Sequence, residues 1–439
     1  MDVLELLSEL IEFNTVNDPE KGIRPSQECP KFIRDILNSY GVDADIMNVN
    51  GFYTVYGVIG DGEPILALMA HYDTVPFIEE EWSYHPLKLT IVNNRGYGRG
   101  TIDDKANVAS IMIALKNATK LVRKGTLIYA FTGDEEIGGV NGAAAWAEML
   151  ERKNLMPKYL VNGDGVGMSI IIRRRNVFKV TISVKSHTKI VRGIKRVRKF
   201  TLQTPIRDTG HAAYFIPGVD QHPLIAASQF LRHNSRFYAL ELRGSFIKSN
   251  VLPKNVELVY VEPSSNGDEV MIDEGLTELL KAVVPISRMT FKTEKYSDFG
   301  ITITPNIYKK YVDEHVMVFD VRAMVSNIKN LEESVKYTLN HTLPHGKFRI
   351  DGKGGYLYTD PSSELVQIAL RVLRALGEDP KVLEAAAASD SRFFSPRGIQ
   401  VIDIGPRGGN VHGPNEYVEL SSLRKLPQFY TKVVEKILT

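Results

Sequence analysis

The sequence predicts an α/β protein of two domains, a layered α/β domain whose chain is interrupted by a strand-rich α+β insert. Three observations carry that expectation. At 439 residues the chain exceeds what one ordinary core accommodates. Helical and strand patterns alternate through residues 1–165, and the alternation returns from about 362. Between them, residues 176–358 change texture and strand patterns dominate. The domains are therefore drawn as 1–175 with 359–439, and 176–358.

Each element has its own signal. Val3, Leu6, Leu7, Leu10 and Ile11 recur at helical spacing and predict a helix over 3–13. A second helix is expected at 26–39, then strands near 52–59 and 64–70. The segment DKANVASIMIALKNATKL is helical in pattern, with Val108, Ile111, Ala114, Leu115 and Ala118 on one face. TLIYAFT (126–132) reads as a buried strand, followed by a helix over 141–151 and a short strand, KYLVN, at 158–162. The insert contributes VFKVTISV, VELVYVE, ITITPNIY and HVMVFDVRAM as strands. The C-terminal part gives a helix near 362–376, strands KVLEA and GIQVIDI, and a last helix near 421–437.

Composition narrows the function classes. The chain is 43% hydrophobic with a net charge of +2, so no global field demands an anionic partner. Its one cysteine, Cys29, excludes a disulfide within the chain and disfavours a thiolate zinc site, which fits a reducing compartment. The acidic, amphipathic start lacks the basic segment and cleavage site of a signal peptide. No apolar run approaches the roughly 18 residues of a membrane span. A cytoplasmic protein without membrane attachment is expected. Residues 173–199 hold eleven Lys or Arg and no acid. That stretch reads as a nucleic-acid patch or as a solvated strand face and loop. Only Phe178 interleaves as an aromatic, so the solvated face is preferred and no nucleic-acid partner is expected.

The chemistry collects where apolar runs end. ILALMA stops on His71, and Asp73 follows in HYDTVP. Residues i and i+2 of a strand share a side, so the carboxylate can accept one ring N–H and leave the other nitrogen for a metal. Asp103 and Asp104 follow the turn-forming Gly98 and Gly100 and precede a helix, where acids also serve as caps. Asp134, Glu135 and Glu136 follow the strand at 126–132, and three consecutive acids need cations or a raised pKa. Asp164 lies past KYLVN, and His412 sits in a Gly-rich loop after GIQVIDI. Open α/β sheets build sites at the carboxyl ends of their strands. The set His71, Asp103, Glu136, Asp164 and His412 suits two metal ions better than one, each with an imidazole, a terminal carboxylate and a shared aspartate.

These motifs resemble those of a known family. HYDTVP is similar to the H-x-D-x-V-P motif of the acetylornithine deacetylase, succinyl-diaminopimelate desuccinylase and carboxypeptidase G family, peptidase family M-twenty. GRGTIDDKA resembles its G-R-G-x-x-D-x-K-G, GDEEIGG its D-E-E-G, and HGPNE its H-x-x-N-E, in the family's order and at both ends of the chain. The resemblance implies a zinc-peptidase-like catalytic domain with a central mixed sheet flanked by helices. The insert would be its lid and dimerisation domain. It implies two divalent ions, zinc with cobalt and manganese as alternatives. His71, Asp103 and Asp164 would hold one, and Asp103, Glu136 and His412 the other. Asp73 would orient His71, Glu135 would be the general base, and the Asp103–Asp104 peptide would be cis.

In the insert, RDTGHAAYF resembles the family's S-x-H-A-S-x-P segment, making His211 an oxyanion donor that acts on the partner subunit's site in a homodimer. FDVRAM resembles its D-x-R strand, making Arg322 a clamp on a substrate carboxylate. Asn306, Arg392, Gly408 and Gly409 are further substrate-site candidates. The activity implied is hydrolysis of an amide in an N-acyl amino acid or short peptide. The alternatives are a carboxypeptidase or dipeptidase, and a silent binding protein on the same fold. The chain departs from the pattern at Ala106, where the family has glycine, and at Phe215, where it has proline. The insert of about 180 residues is also longer than the family's usual lid.

Overall fold

In the computed structural model, which describes residues 1–207 and 210–439, every residue of the strand Ile65–His71 is buried. Its side chains alternate between two cores. Leu66, Leu68 and Ala70 join a core with the helices Val3–Glu12, Glu28–Ser39, Lys105–Leu121, Glu364–Ala375 and Leu426–Leu438. Ile65, Ala67 and Met69 join another with the helix Ala143–Arg152, where Trp146 meets Phe394 at 5.6 Å. Burial on both faces explains why the sequence here is a continuous apolar run.

This strand lies in a nine-stranded sheet within the first of two units, Met1–Arg174 with Gly355–Thr439. Ile65–His71 is parallel to Gly125–Thr132 on one side and to Tyr159–Asn162 on the other, and Gln400–Asp403 continues the parallel run. Antiparallel strands Asp45–Val49 and Phe52–Asp61 close one edge, and Ile170–Arg174 with Leu357–Tyr358 the other. The sheet is therefore mixed. Leu357 and Tyr358, on the insert side of the boundary expected at 358, belong to this unit because they pair with Arg174 and Arg173. The four parallel strands end on one side, and the segments with His71, Glu135, Asp164 and His412 leave from those ends.

A small sheet has no counterpart in the sequence reading. Thr90–Val92, Arg95–Tyr97, Tyr417–Glu419 and Gly408–Gly409 pair in a row. Tyr84, Tyr97 and Tyr417 pack as tilted rings along it at 4.7 and 5.6 Å, and the Arg95 guanidinium covers the Tyr417 ring. The expected last helix is split into Leu420–Leu423 and Leu426–Leu438. Pro427 is tolerated only in a first helical turn, so a new helix begins there. Among the described residues no helix is long and apolar enough to cross a membrane.

The second unit, Arg175–Gly354, holds two four-stranded antiparallel sheets. One orders Tyr238–Gly244, Asn255–Pro263, Thr188–Thr201 and Asp268–Asp273; the other orders Thr302–Lys310, Glu314–Ala323, Asn176–Lys185 and Lys347–Asp351. Helices Pro223–His233, Glu274–Ser287 and Lys329–Thr342 supply Leu224, Leu231, Leu279, Val283 and Leu331 to one core with Phe178, Val180, Leu258 and Phe319. The strand-dominated reading missed these helices. Pro285 inside the second obscures its pattern, and only packing against the sheets outweighs that residue.

The basic stretch folds into the strands Asn176–Lys185 and Thr188–Thr201, which follow one another in the chain but lie in different sheets. Lys189 pairs with Glu274, Arg192 with Glu269 at 3.8 Å and Arg196 with Glu262 at 2.5 Å. Arg198 lies over the Phe230 ring at 4.6 Å. Neighbouring elements thus supply the acids that the stretch lacks, in exposed pairs that each contribute little stability.

His222 caps the helix Pro223–His233 by accepting from Leu224 N–H at Nδ1, and its Nε2–H donates to Asn306 Oδ1 at 3.0 Å. Burial pushes its pKa down to about 4. The unfolded ring titrates near 6.5, so between those values the unfolded chain binds more protons and stability rises with pH. On acidification from pH 7 to 4 this one group should remove on the order of 3 kcal/mol. Unfolding by denaturant across that range should show a flatter pH dependence in His222→Gln than in the parent. Parallel curves would exclude a buried neutral imidazole.

Candidate metal centre

His71 is the last residue of a buried strand and is itself 2% exposed. Its Nδ1 faces the Asp73 backbone oxygen at 3.1 Å, with Asp73 Oδ1 farther at 3.4 Å. The orienting acceptor is thus first the carbonyl and only second the carboxylate. Asp73 Oδ1 accepts from Glu135 N–H at 3.1 Å, and Oδ2 from Glu136 N–H at 3.2 Å and Asn17 Nδ2 at 3.0 Å. One buried aspartate therefore fixes both the histidine and the start of the paired glutamates.

His71 Nε2 meets Asp103 Oδ1 at 3.0 Å, and His412 Nε2 meets Asp103 Oδ2 at 3.0 Å. Asp103 stands between the two imidazoles, one oxygen toward each. The Asp103–Asp104 peptide is cis. Asp104 turns the other way: Oδ2 accepts from His71 N–H at 3.2 Å and Oδ1 from Asn107 Nδ2 at 2.6 Å. The adjacent acids thus divide their work, one facing the site and one bracing its strand and helix.

The loop carrying Asp103 is held by Glu416, which the sequence reading quoted within HGPNE but gave no role. Its carboxylate accepts from Gly100 N–H at 3.1 Å, Ile102 N–H at 3.0 Å and Asp103 N–H at 3.3 Å, and pairs with Arg99 Nη1 at 2.5 Å. Arg99 Nη2 then donates to the His412 and Gly413 carbonyls at 3.2 and 3.3 Å. His412 has φ 61, left-handed for a non-glycine residue, and these bonds hold that conformation. The signal in sequence was only a buried-type motif at each end of the chain; nothing in it pairs residues 317 positions apart.

Glu136 completes the site beside His412. Its Oε1 is buried without a hydrogen bond and lies 3.2 Å from His412 Nε2. Asp164 is held by Arg174, whose Nη2 donates to the Asp164 backbone oxygen and lies 3.4 Å from Oδ1, while Nε meets Asp403 Oδ2 at 2.6 Å. Neither Arg174 nor Asp403 stood out in the sequence. Ligand-competent atoms of His71, Glu135 and Asp164 all lie within 4.8 Å of one another, as do those of Asp103, Glu136 and His412.

The electrostatics fit cations. Burial, then the charges of Asp164 and Asp390, holds the Glu135 carboxyl well above its ordinary range. Burial, then Asp103 and Asp403, does the same to Asp164 against the pull of Arg174. The Asp103 carboxyl is lowered although burial opposes it, because His412 and His71 both bond to it. His412 is raised chiefly by Glu136, and His71 is raised by Asp103 and Asp73 in spite of its burial. So many acids taken from water with so few counter-charges are costly unless positive ions join them. Around a tetrahedral ion with bonds of about 2.0–2.2 Å, ligand atoms lie about 3.3–3.6 Å apart. The contacts of Asp103 with His71 and His412, 3.0 Å each, and of Glu136 with His412, 3.2 Å, are close to that.

The remaining candidates stand as follows. Arg392, buried, donates to Gly138 O at 2.7 Å and Ser389 O at 3.1 Å, bracing the turn after Glu136. Gly408 and Gly409 pair with Val418 and Tyr417; a Cβ on Gly408 would lie 2.1 Å from Tyr417 O. In the second unit, Arg322 is buried and doubly bonded to Asp320, at 2.8 and 3.1 Å. Asn306 is fully buried, with its amide bonded to His222, Ser249 and Thr304. His211 Nδ1 accepts from Ala213 N–H at 3.1 Å, and its Nε2 has Asn250 Nδ2 at 3.5 Å. Asp208 and Thr209, in the RDTGHAAYF segment, lie outside the described residues.

Known proteins resemble this chain over most of its length. The family model described as Peptidase family M20/M25/M40 matches residues 67–436. A succinyl-diaminopimelate desuccinylase of Xanthomonas euvesicatoria is 24% identical, the alignment covering 100% of this chain and 99% of the relative. Among solved structures, an M20 family metallo-carboxypeptidase from Sulfolobus solfataricus superposes with TM-score 0.65 at 18% identity, covering 99% of each chain. An aminoacylhistidine dipeptidase from Vibrio alginolyticus gives TM-score 0.70 at 16% identity, covering 99% of this chain and 96% of the other.

If Glu416 fixes the Asp103 and His412 loops together, Glu416→Gln should weaken divalent-metal binding about 10–100-fold, as loss of a supporting residue typically does. Titration calorimetry of chelator-stripped protein with zinc would measure it. Unchanged affinity would leave Glu416 a purely structural residue.

Proposed function

The chain belongs to peptidase family M20/M25/M40, and on that premise we propose that it hydrolyses the amide bond of an N-acyl amino acid or short peptide with two divalent cations, zinc first. The observation that carries this is Glu135, a half-buried carboxylate among the candidate ligand groups whose backbone N–H is tied to Asp73. His71, Asp103 and Asp164 would hold one ion, and Asp103, Glu136 and His412 the other. When bound, the ions would polarise the substrate carbonyl and acidify the attacking water. Glu135 takes the proton of that water at its carboxylate and returns it to the departing amine. Its raised affinity for a proton, from burial and neighbouring acids, suits a group that must hold the proton between the two steps.

His211 donates Nε2–H to the oxygen on which negative charge develops. Its Nδ1 is engaged as an acceptor, so the neutral ring carries its proton at Nε2, which requires the Asn250 amide 3.5 Å away to turn its oxygen toward that proton. Arg322 binds a free substrate carboxylate. The full-length match to desuccinylases favours an N-acyl amino acid substrate. The peptidase neighbours favour a carboxypeptidase or dipeptidase as the second reading. We further propose a cytoplasmic homodimer formed through residues 175–354.

Dialysis against a chelator should abolish hydrolysis of N-succinyl, N-acetyl and dipeptide substrates, and zinc, cobalt or manganese should restore it. Glu135→Gln should remove turnover while metal still binds; loss of metal as complete as in His71→Ala would make Glu135 a ligand instead. Arg322→Ala should weaken substrates with a free carboxylate about tenfold or more, but hardly affect their amides, since a charge-assisted pair contributes about 1.5–3 kcal/mol. Equal losses for acid and amide would remove Arg322 from substrate recognition.

A further inference from the structure

We propose that Arg175, Asn306 and His222 are positioning residues that fix the place and tautomer of His211, a proposal that rests on His211 being the oxyanion donor. The short helical turn Ala212–Tyr214 begins at His211, whose ring caps it by accepting from Ala213 N–H. A turn of this length cannot hold a side chain in place by itself. Two buried anchors do so. Arg175 Nη2 donates to Ala213 O at 2.8 Å, while Nη1 reaches Thr302 Oγ1 at 3.1 Å and Gly300 O at 3.2 Å. A fully buried guanidinium thus joins the turn to the start of the strand Thr302–Lys310.

The second anchor acts from the other side. Residues 210–212 pair with 250–252: Ala212 N–H donates to Asn250 O at 2.8 Å, Leu252 N–H to Gly210 O at 2.6 Å, and His211 opposes Val251. Asn306 Nδ2 holds that second segment by donating to Ser249 O at 2.5 Å, and also meets Thr304 Oγ1 at 3.0 Å. His222 Nε2–H donates to Asn306 Oδ1, which fixes the amide's orientation, and His222 is fixed in turn as a helix cap. The chain of bonds runs from a helix start, through a wholly buried amide, to the strip against which His211 lies. Fixing a donor in advance is worth most in the transition state, so these residues should act on turnover more than on binding.

The test is a set of double-mutant cycles with His211→Ala. Arg175→Lys and Asn306→Ala should each lower kcat about tenfold with little change in KM, as small misplacements of a donor do. In the His211→Ala background the same changes should have no further effect. Equal losses in both backgrounds would overturn the proposal. Ring 15N shifts of histidine-labelled protein give a second readout, independent of turnover. His211 should carry its proton at Nε2 in the parent and become a tautomer mixture in Asn306→Ala; an unchanged ring there and in Arg175→Lys would also overturn it. If His211→Ala itself leaves kcat unaltered, the oxyanion reading fails, and the ring shifts still decide whether the anchors hold the histidine. Should Arg175→Lys not fold, Asn306→Ala and His222→Gln supply both cycles.

Discussion

Glu416 and Arg99 lie in the interior of the metal unit, 2.5 Å apart and nearly without solvent contact. Their pairing decides where two ligands stand. The carboxylate gathers three N–H groups of the Asp103 loop, and the guanidinium takes the carbonyls of the His412 turn. A buried ion pair is weak evidence of stability, because desolvation offsets much of the attraction. It is better suited to setting register. Here it joins loops from the two ends of the chain through the small sheet on which both depend.

The same arrangement recurs around the other ligands. Asp73 ties His71 to the Glu135–Glu136 peptides, Arg174 ties Asp164 to Asp403, and Asp104 with Asn107 ties His71 to the helix Lys105–Leu121. The segments that carry His71, Asp103, Asp164 and the paired glutamates are each tied to a buried partner, which limits how far the acids can separate to relieve their repulsion. That rigidity makes cation binding favourable: the repulsion is built in when the chain folds and is relieved when positive charge enters. The parallel strands make it possible, since they deliver four ligand segments to one side of one sheet.

The insert follows another logic. Its polar interior is neutral around His222 and Asn306, and its strongly basic surface is matched by acids on adjacent strands and on a helix. Arg322 is doubly bonded to Asp320, which limits the rotamers of a long side chain.

The candidate ligand groups stood out because strand ends are local: His71 ends an apolar run, and Glu136 and Asp164 each follow one within a few residues. The alternation of helix and strand also disclosed the layered α/β domain, since burial on one or two faces leaves a period in the residues themselves. The helices of the insert were less legible, because packing and not propensity secures a segment such as Glu274–Ser287 with its internal proline. Glu416, Arg99, Arg174 and Asn17 carried no local signal at all. Their partners come from segments far away in the chain, 56 residues for Asn17 and 317 for Arg99 and Glu416, as do partners of Asn306, 57 and 84 residues away, and of Arg392, 254 away. The sequence by itself determined which groups can bind metal and which strand each one ends, since these are properties of short segments. Only the tertiary structure decided how the groups are aimed, because aim is set by buried hydrogen bonds between segments that have no relation until the chain is folded.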